Sequence, residues 1–307
     1  MSTNLLSASP YSEIGGVVQE YFWNWENQQL CAVYESLGKG SQLLLLPAFS
    51  TVSMRSEMGE IGKLLSPNFQ VVAVDWPGFG QSSRLAVNYG PALYQEFLQG
   101  FVTSVIKTPV AVVAAGHSAA YVLQLANKIP SVFSRIVLVA PTWRGPLRVM
   151  GLNQQTTGMV RELVRSPFVG QILYKLNTLP SFLSFMYRRH VYVDEAKLTP
   201  DFIQHKWRNT QQPGGRYAPA AFVTGTLDAV DNQDDFLALA RGLSVPLKVV
   251  IGESCPPKSR AEMDALTALP GVQTVVLPGS LGMHEEYPQA VVEAVRDFLL
   301  SSESSLS

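Results

Sequence analysis

Cysteine, histidine and charge are all scarce in this chain of 307 residues. Its two cysteines, Cys31 and Cys255, are too few for a disulfide framework and suit a reducing compartment. Charged residues make up 15% of the chain, against about a quarter in an average soluble protein. The formal net charge is −1, which excludes the basic footprint of a nucleic-acid binder. Long hydrophobic runs are missing as well. Leu43–Leu46 and Val110–Ala115 fall far short of the roughly 20 residues that span a bilayer. The opening residues carry no pattern of basic stretch, apolar stretch and small-residue cleavage site. A soluble, cytoplasmic protein is therefore expected.

What the chain does have is apolar surface to bury, at 47% of residues, and an uneven charge. Between Arg144 and Tyr217 stand eleven Lys and Arg against four Asp and Glu, a net +7 that leaves −8 on the rest. Such a segment suits an anionic ligand or an anionic membrane surface. Val17–Trp25 and Gln29–Ser36 flank a turn at Asn27 and read as a β-hairpin. Short apolar runs follow at Leu43–Leu46, Val71–Val74, Val110–Ala115, Ile136–Val139, Leu247–Ile251 and Gln273–Leu277. Runs of that length belong to strands buried on both faces of a parallel sheet. Helical patterns lie between most of them: Met54–Leu65, Pro91–Ile106, Ala119–Lys128, Asp235–Arg241, Ala261–Leu269 and Pro288–Leu300. Alternation of this kind predicts an α/β fold, a mostly parallel sheet with helices on both faces.

The alternation fails between Pro146 and about Ala220, where only helical pieces rich in Phe, Leu, Met and Tyr appear. That stretch reads as a helical cap inserted between two strands. The expected organisation is a loose arm over 1–16, a core over 17–145 and 221–300, the cap over 146–220, and a disordered tail over 301–307.

Val110–Ala115 runs directly into Gly116-His117-Ser118-Ala119-Ala120 and onward into a helical pattern. A serine on a sharp strand-to-helix turn needs small residues two positions away on each side, and Gly116 and Ala120 supply them. The tight turn would lift Ser118 Oγ above the sheet edge, at a helix N-terminus whose N–H groups point outward.

With this elbow, the chain resembles the α/β-hydrolase superfamily over nearly its whole length. Asp75-Trp-Pro-Gly-Phe-Gly-Gln-Ser82 is similar to the D-x-P-G-x-G-x-S turn after that family's fourth strand. Leu43-Leu-Leu-Leu-Pro-Ala-Phe49 stands where the family carries its oxyanion loop. Tyr21-Phe-Trp-Asn-Trp25, followed by Ala32-Val-Tyr34, is similar to a cyanobacterial and plastid branch that includes chlorophyll dephytylases. The resemblance implies a nucleophile, a base, an acid and two backbone donors. Ser118 maps onto the nucleophile and the N–H of Ala119 onto one oxyanion donor. Phe49, or its neighbour Ser50, maps onto the other, and Asp75 onto a structural turn position.

The remaining positions depart from the pattern. Of four histidines, His117 lies in the elbow itself, and His190 and His205 lie in the cap. His284 follows the last strand and is the expected base, although the family's slot falls earlier, near Leu281 or Gly282. Cys255 stands where the family places its acid, in Gly252-Glu-Ser-Cys255-Pro256. A neutral thiol is a poor substitute for a carboxylate. Glu253 is the nearest carboxylate in sequence, with Asp228 and Glu262 as more distant candidates. Pro47-Ala48 replaces the His-Gly pair of the oxyanion loop.

Two readings follow. One is a serine hydrolase of esterase or thioesterase type, acting on a hydrophobic ester through Ser118 with His284 as base. The other is a binding or scaffolding protein that keeps the fold with a degraded triad. No cofactor and no metal site is expected: Gly78-Phe-Gly80 lacks a following Lys-Ser/Thr pair, and Asp231, Asp234 and Asp235 read as helix N-terminal acids. The expected partners are a small lipophilic substrate and, through the basic cap, an anionic membrane; nucleic acid is not among them.

Overall fold

Short runs of Val, Leu and Ala become the buried middle of one sheet. In the computed structural model, which describes residues 9–301, the strands are β1 (Val17–Trp25), β2 (Gln28–Leu37), β3 (Gln42–Leu46) and β4 (Gln70–Val74), then β5 (Val110–Ala115), β6 (Phe133–Val139), β7 (Leu247–Gly252) and β8 (Val272–Leu277). Their spatial order is β1-β2-β4-β3-β5-β6-β7-β8. The β1–β2 and β2–β4 pairings are antiparallel and all the others parallel. All six residues of β5 are buried, as a strand covered on both faces requires. The hairpin turns at Glu26, whose φ of 51° is left-handed. Along β1, Tyr21, Trp23 and Trp25 point inward and alternate with exposed neighbours.

Helices cover both faces. A 3-10 turn at Arg55–Met58 leads into α1 (Gly59–Leu65); α2 (Pro91–Val105) and α3 (Ser118–Lys128) follow. Between β6 and β7 come α4 (Pro146–Val149), α5 (Gln154–Arg165), α6 (Val169–Asn177), α7 (Pro180–Met186), α8 (Pro200–Thr210) and α9 (Tyr217–Val223), and then α10 (Gln233–Arg241). The chain closes with α11 (Pro257–Thr267), α12 (Met283–Glu286) and α13 (Pro288–Leu300). The α/β architecture expected from the alternating pattern is present. Among the described residues, 146–223 contains no strand, and α9 carries the helical insertion past the expected limit at 220. No helix of the described residues is long and apolar enough to cross a membrane.

The expected loose arm needs correction. Residues 1–8 lie outside the described residues, but the stretch just before β1 is tied down. Glu35, buried on β2, accepts hydrogen bonds from Ser12 Oγ and from the backbone N–H groups of Glu13, Ile14 and Gly16. Ile14 is fully buried beside it. The same carboxylate accepts from Arg55 Nε at 3.0 Å. Arg55 Nη1 reaches Asp75, and the Arg55 backbone N–H donates to Asp75 at 2.6 Å. Asp75 also accepts from Gln81 N–H at 2.8 Å, closing the turn after β4. A Cβ on Gly80, at φ 50°, would lie 2.1 Å from the Asp75 carboxyl carbon, so only glycine fits there. Asp75 is thus a structural anchor. A carboxylate was the missing sequence signal for the arm, because Glu35 lies 19 to 23 residues from its partners.

The inserted helices are clamped by a second buried ionic group. Lys206 on α8 is wholly buried and pairs with Glu285 at 2.8 Å and Glu57 at 3.4 Å. Burial alone would lower its pKa, but the Glu285 and Glu57 carboxylates more than offset that and hold it above the ordinary lysine value. A small apolar cluster of Val52, Leu183, Tyr187, Tyr192 and Leu198 packs in the same region.

Burial opposes ionisation of Glu35, yet its hydrogen bonds and Arg55 hold the carboxyl well below the usual range, at about 2. A depressed carboxylate pKa stabilises the fold above the unfolded value and loses that contribution as pH falls toward the folded one. Stability should therefore fall between pH about 4.5 and about 2. In Glu35→Gln the protein should be less stable at neutral pH and its stability should vary less across that acid window, as read by urea midpoints at stepped pH. Removing one partner of a buried ion pair costs about 3–5 kcal/mol, so Lys206→Met should lower the unfolding free energy by an amount of that order.

Candidate functional site

The site expected from sequence is the junction of β5 and α3, where Gly116 takes φ 52°. That left-handed residue is the sharp point of the turn. Ser118, two residues on, is the first residue of α3, and it is not among the left-handed residues of the chain. The consequence is geometric. Ser118 is fully buried, and its Oγ–H donates to the carbonyl oxygen of Pro47 at 2.6 Å. Trp76 Nε1–H donates to the same carbonyl at 3.0 Å and to Ser118 Oγ at 3.2 Å. The buried hydroxyl both donates and accepts, which is how a buried polar group is stabilised. A Cβ added to Gly116 would lie 2.9 Å from Ala48 Cβ, so the loop after β3 closes directly over the tip.

Aromatic rings fill the space above this junction. Phe49, nearly fully buried, stacks on Trp76 with centroids 4.7 Å apart and meets Tyr94 edge-on at 4.9 Å. Tyr121, Phe79 and His117 complete its surroundings, at 5.6, 5.5 and 6.1 Å. The Phe49 ring thus packs beside the elbow. The backbone N–H of Ala119, the other expected oxyanion donor, is bonded to Gly116 O at 3.2 Å.

The expected base lies with other partners. His284 on α12 is buried, and its Nε2 stands 3.6 Å from Glu57 Oε2, in the group that holds Lys206. Its Nδ1 has no hydrogen-bond partner among the described residues. The structure records no hydrogen bond between His284 and Ser118. Glu253 is exposed on the loop after β7, where its N–H donates to Leu277 O. Cys255 is a free buried thiol that burial pushes up to about 11, so it is neutral at pH 7.

A different histidine finds a carboxylate. His117 Nε2 lies 3.2 Å from Leu227 O and 3.3 Å from Asp228 Oδ1. Asp228 Oδ1 also accepts from Gly145 N–H at 2.8 Å, fixing the start of α4. Close by, Glu262 pairs with Arg144, whose guanidinium stacks over Trp143 at 4.7 Å. Burial raises the Glu262 pKa, with Arg144 opposing it. Asp228 and Glu262, the more distant acid candidates, gather beside the elbow's own histidine. Neither the Glu57–His284 nor the His117–Asp228 pairing carries a local sequence signal, because each joins residues far apart in the chain. Trp76 and Pro47 reach Ser118 from 42 and 71 residues away, so no local pattern marks them either. Two surface cavities of about 340 and 320 Å³ open elsewhere, the second lined by Tyr11, Met54, His205, Arg208, Asn209 and Gln212.

Comparison with known proteins agrees with this architecture. The model of a family described as "Alpha/beta hydrolase family" matches residues 43–294. No curated protein matches the sequence. Among solved structures, a thermophilic esterase from Thermogutta terrifontis is similar at 18% identity with a TM-score of 0.70, covering 92% of this chain and 98% of that one. A haloalkane dehalogenase from Agrobacterium tumefaciens is similar at 17% identity with a TM-score of 0.69, covering 94% and 99%. A bromoperoxidase from Bacillus anthracis follows at 16% identity with a TM-score of 0.68, covering 92% and 100%. At these identities the likeness is one of fold.

The closed tip makes a stability prediction. A left-handed non-glycine residue costs about 1–3 kcal/mol, and overpacking against Ala48 adds about 1–3 kcal/mol. Gly116→Ala should therefore destabilise the protein by a few kcal/mol in urea titrations. Adding Ala48→Gly should recover only the packing share. Ser118→Ala should cost only about 1 kcal/mol, because Trp76 continues to satisfy the Pro47 carbonyl.

Proposed function

This chain belongs to the alpha/beta hydrolase family, and we propose that it uses the fold to bind a ligand or surface instead of cleaving an ester. One observation carries the reading. The left-handed tip of the elbow is Gly116, which has no side chain to serve as nucleophile, while Ser118 Oγ is buried against Pro47 O. Ester cleavage by a serine needs a nucleophile within reach of a base and oxyanion donors free to meet the developing charge. Here Ser118 donates to a carbonyl, His284 stands beside Glu57, and the Ala119 N–H is already bonded. Phe49 and Trp76 stack beside the buried Ser118 hydroxyl, and the Trp76 indole N–H is bonded to it.

A second reading is favoured by the family match and by the esterase among the structural neighbours, both of which support a hydrolase in general terms. It is hydrolysis of a lipophilic ester or thioester by Ser118 with His284 as base. It requires Ser118 to leave Pro47, His284 to leave Glu57, and the Phe49–Trp76 stack to part.

A fluorophosphonate probe followed by intact mass separates the two. The binding reading expects no covalent adduct on the folded wild-type protein, and the same result for Ser118→Ala. An adduct on the wild type that disappears in both Ser118→Ala and His284→Ala would overturn it in favour of the hydrolase.

A further inference from the structure

The inserted helices are built the wrong way round for a segment whose apolar side chains only meet the core. On α6, Tyr174 is buried while Val169, Ile172 and Leu176 are exposed. On α5, Thr157 is buried whereas Met159 is 69% exposed and Leu163 faces solvent. On α7, Leu183 goes inward while Phe182 and Phe185 remain outside. Phe168, in the link before α6, is 84% exposed. Helix α5 packs against α6, and α6 against α7, so the outward apolar rows lie on neighbouring helices. Scattered exposed apolar residues need no explanation; exposed apolar residues on three consecutive helices that pack on one another do.

Cations flank these rows. Lys175 stands between Ile172 and Leu176 and is exposed. Arg188 and Arg189 follow α7 and are exposed; Arg188 lies 3.5 Å from Glu195, and no ion pair involves Lys175 or Arg189 among the described residues. The same stretch of sequence carries the net +7 and the remainder the −8, and with Lys206 and Arg144 paired to acids of the remainder the stretch still keeps an excess of cations.

We infer that α5, α6 and α7 form a docking face for an anionic lipid membrane. An apolar helix face bordered by Lys and Arg seats at the boundary between headgroups and acyl chains, where apolar burial and attraction to anionic lipid act together. The acidic remainder of the molecule is repelled by the same surface, so the charge division turns the inserted helices toward the bilayer. Charge also decides against a second copy of the chain as occupant, since the face would meet its own cations. This inference deepens the binding reading by naming a partner. It stands on different residues from the Ser118 centre, so labelling and membrane binding fail independently.

Flotation of the purified full chain with vesicles tests it, using phosphatidylcholine alone and phosphatidylcholine mixed with phosphatidylglycerol. The expected result is co-flotation with the anionic vesicles, weakened by high salt and weak on the neutral ones. Removing a cation near an anionic surface should cost about fivefold in affinity, so Arg188→Ser with Arg189→Ser should weaken binding by about 25-fold. Phe168→Ser with Phe185→Ser should abolish it while circular dichroism and thermal midpoint remain those of the wild type. Absence of the wild type from the anionic float would overturn the inference, as would equal binding to both vesicle types. So would a concentration-dependent dimer in light scattering that the two Phe substitutions dissolve, because the face would then belong to a self-contact.

Discussion

The Arg55 guanidinium, buried between Glu35 and Asp75, is the interaction on which the rest of the sheet's upper edge depends. Three charges without exposure can exist only if each is paired and its remaining hydrogen-bonding capacity is filled. That requirement draws in the N-terminal stretch around Glu35, the 3-10 turn that carries Arg55, and the turn after β4 that carries Asp75. Once Asp75 is fixed, the adjoining Trp76 is fixed too, and its indole N–H falls between Pro47 O and Ser118 Oγ. A structural ion group thus adjoins the residue that meets Ser118.

The two buried histidines show how the fold places titratable pairs between distant segments. The strand order belongs to an alpha/beta hydrolase architecture. Its two buried histidines both find carboxylates, His117 with Asp228 and His284 with Glu57. Neither pair is hydrogen-bonded to Ser118. Both make connections between distant segments: Asp228 is anchored to the start of α4, and Glu57 shares Lys206 with Glu285. In such positions a histidine–carboxylate pair stabilises the assembly of segments, and fold alone does not assign it a reaction.

The inserted helices show a matching division of labour. Lys206 and the cluster around Tyr187 and Tyr192 hold them to the core through a polar group and a small apolar one. That attachment occupies the inward faces with Tyr, Thr and Gly as much as with Leu, and larger apolar side chains are left outside. Attachment by ions and exposure of hydrocarbon are thus two aspects of one arrangement.

Much of the fold was legible in the chain because it rests on local physics. The β5 run at Val110–Ala115 and the α13 run at Pro288–Leu300 are bounded by the residues their patterns mark, since period and turn chemistry act over a few residues. The elbow was only half legible. Small residues two positions away flank Ser118, as Gly116 and Ala120, but they flank Gly116 equally well, as Ala114 and Ser118. Two frames of the same turn are consistent with that pattern, and a two-residue shift moves a hydroxyl from the tip into the core. The sequence by itself determined the strands, the approximate places of the core helices and the order in which they alternate. Only the tertiary structure decided which frame the elbow takes and which carboxylate each histidine meets, because Ala48, Trp76, Glu57 and Asp228 reach those places through contacts remote in sequence.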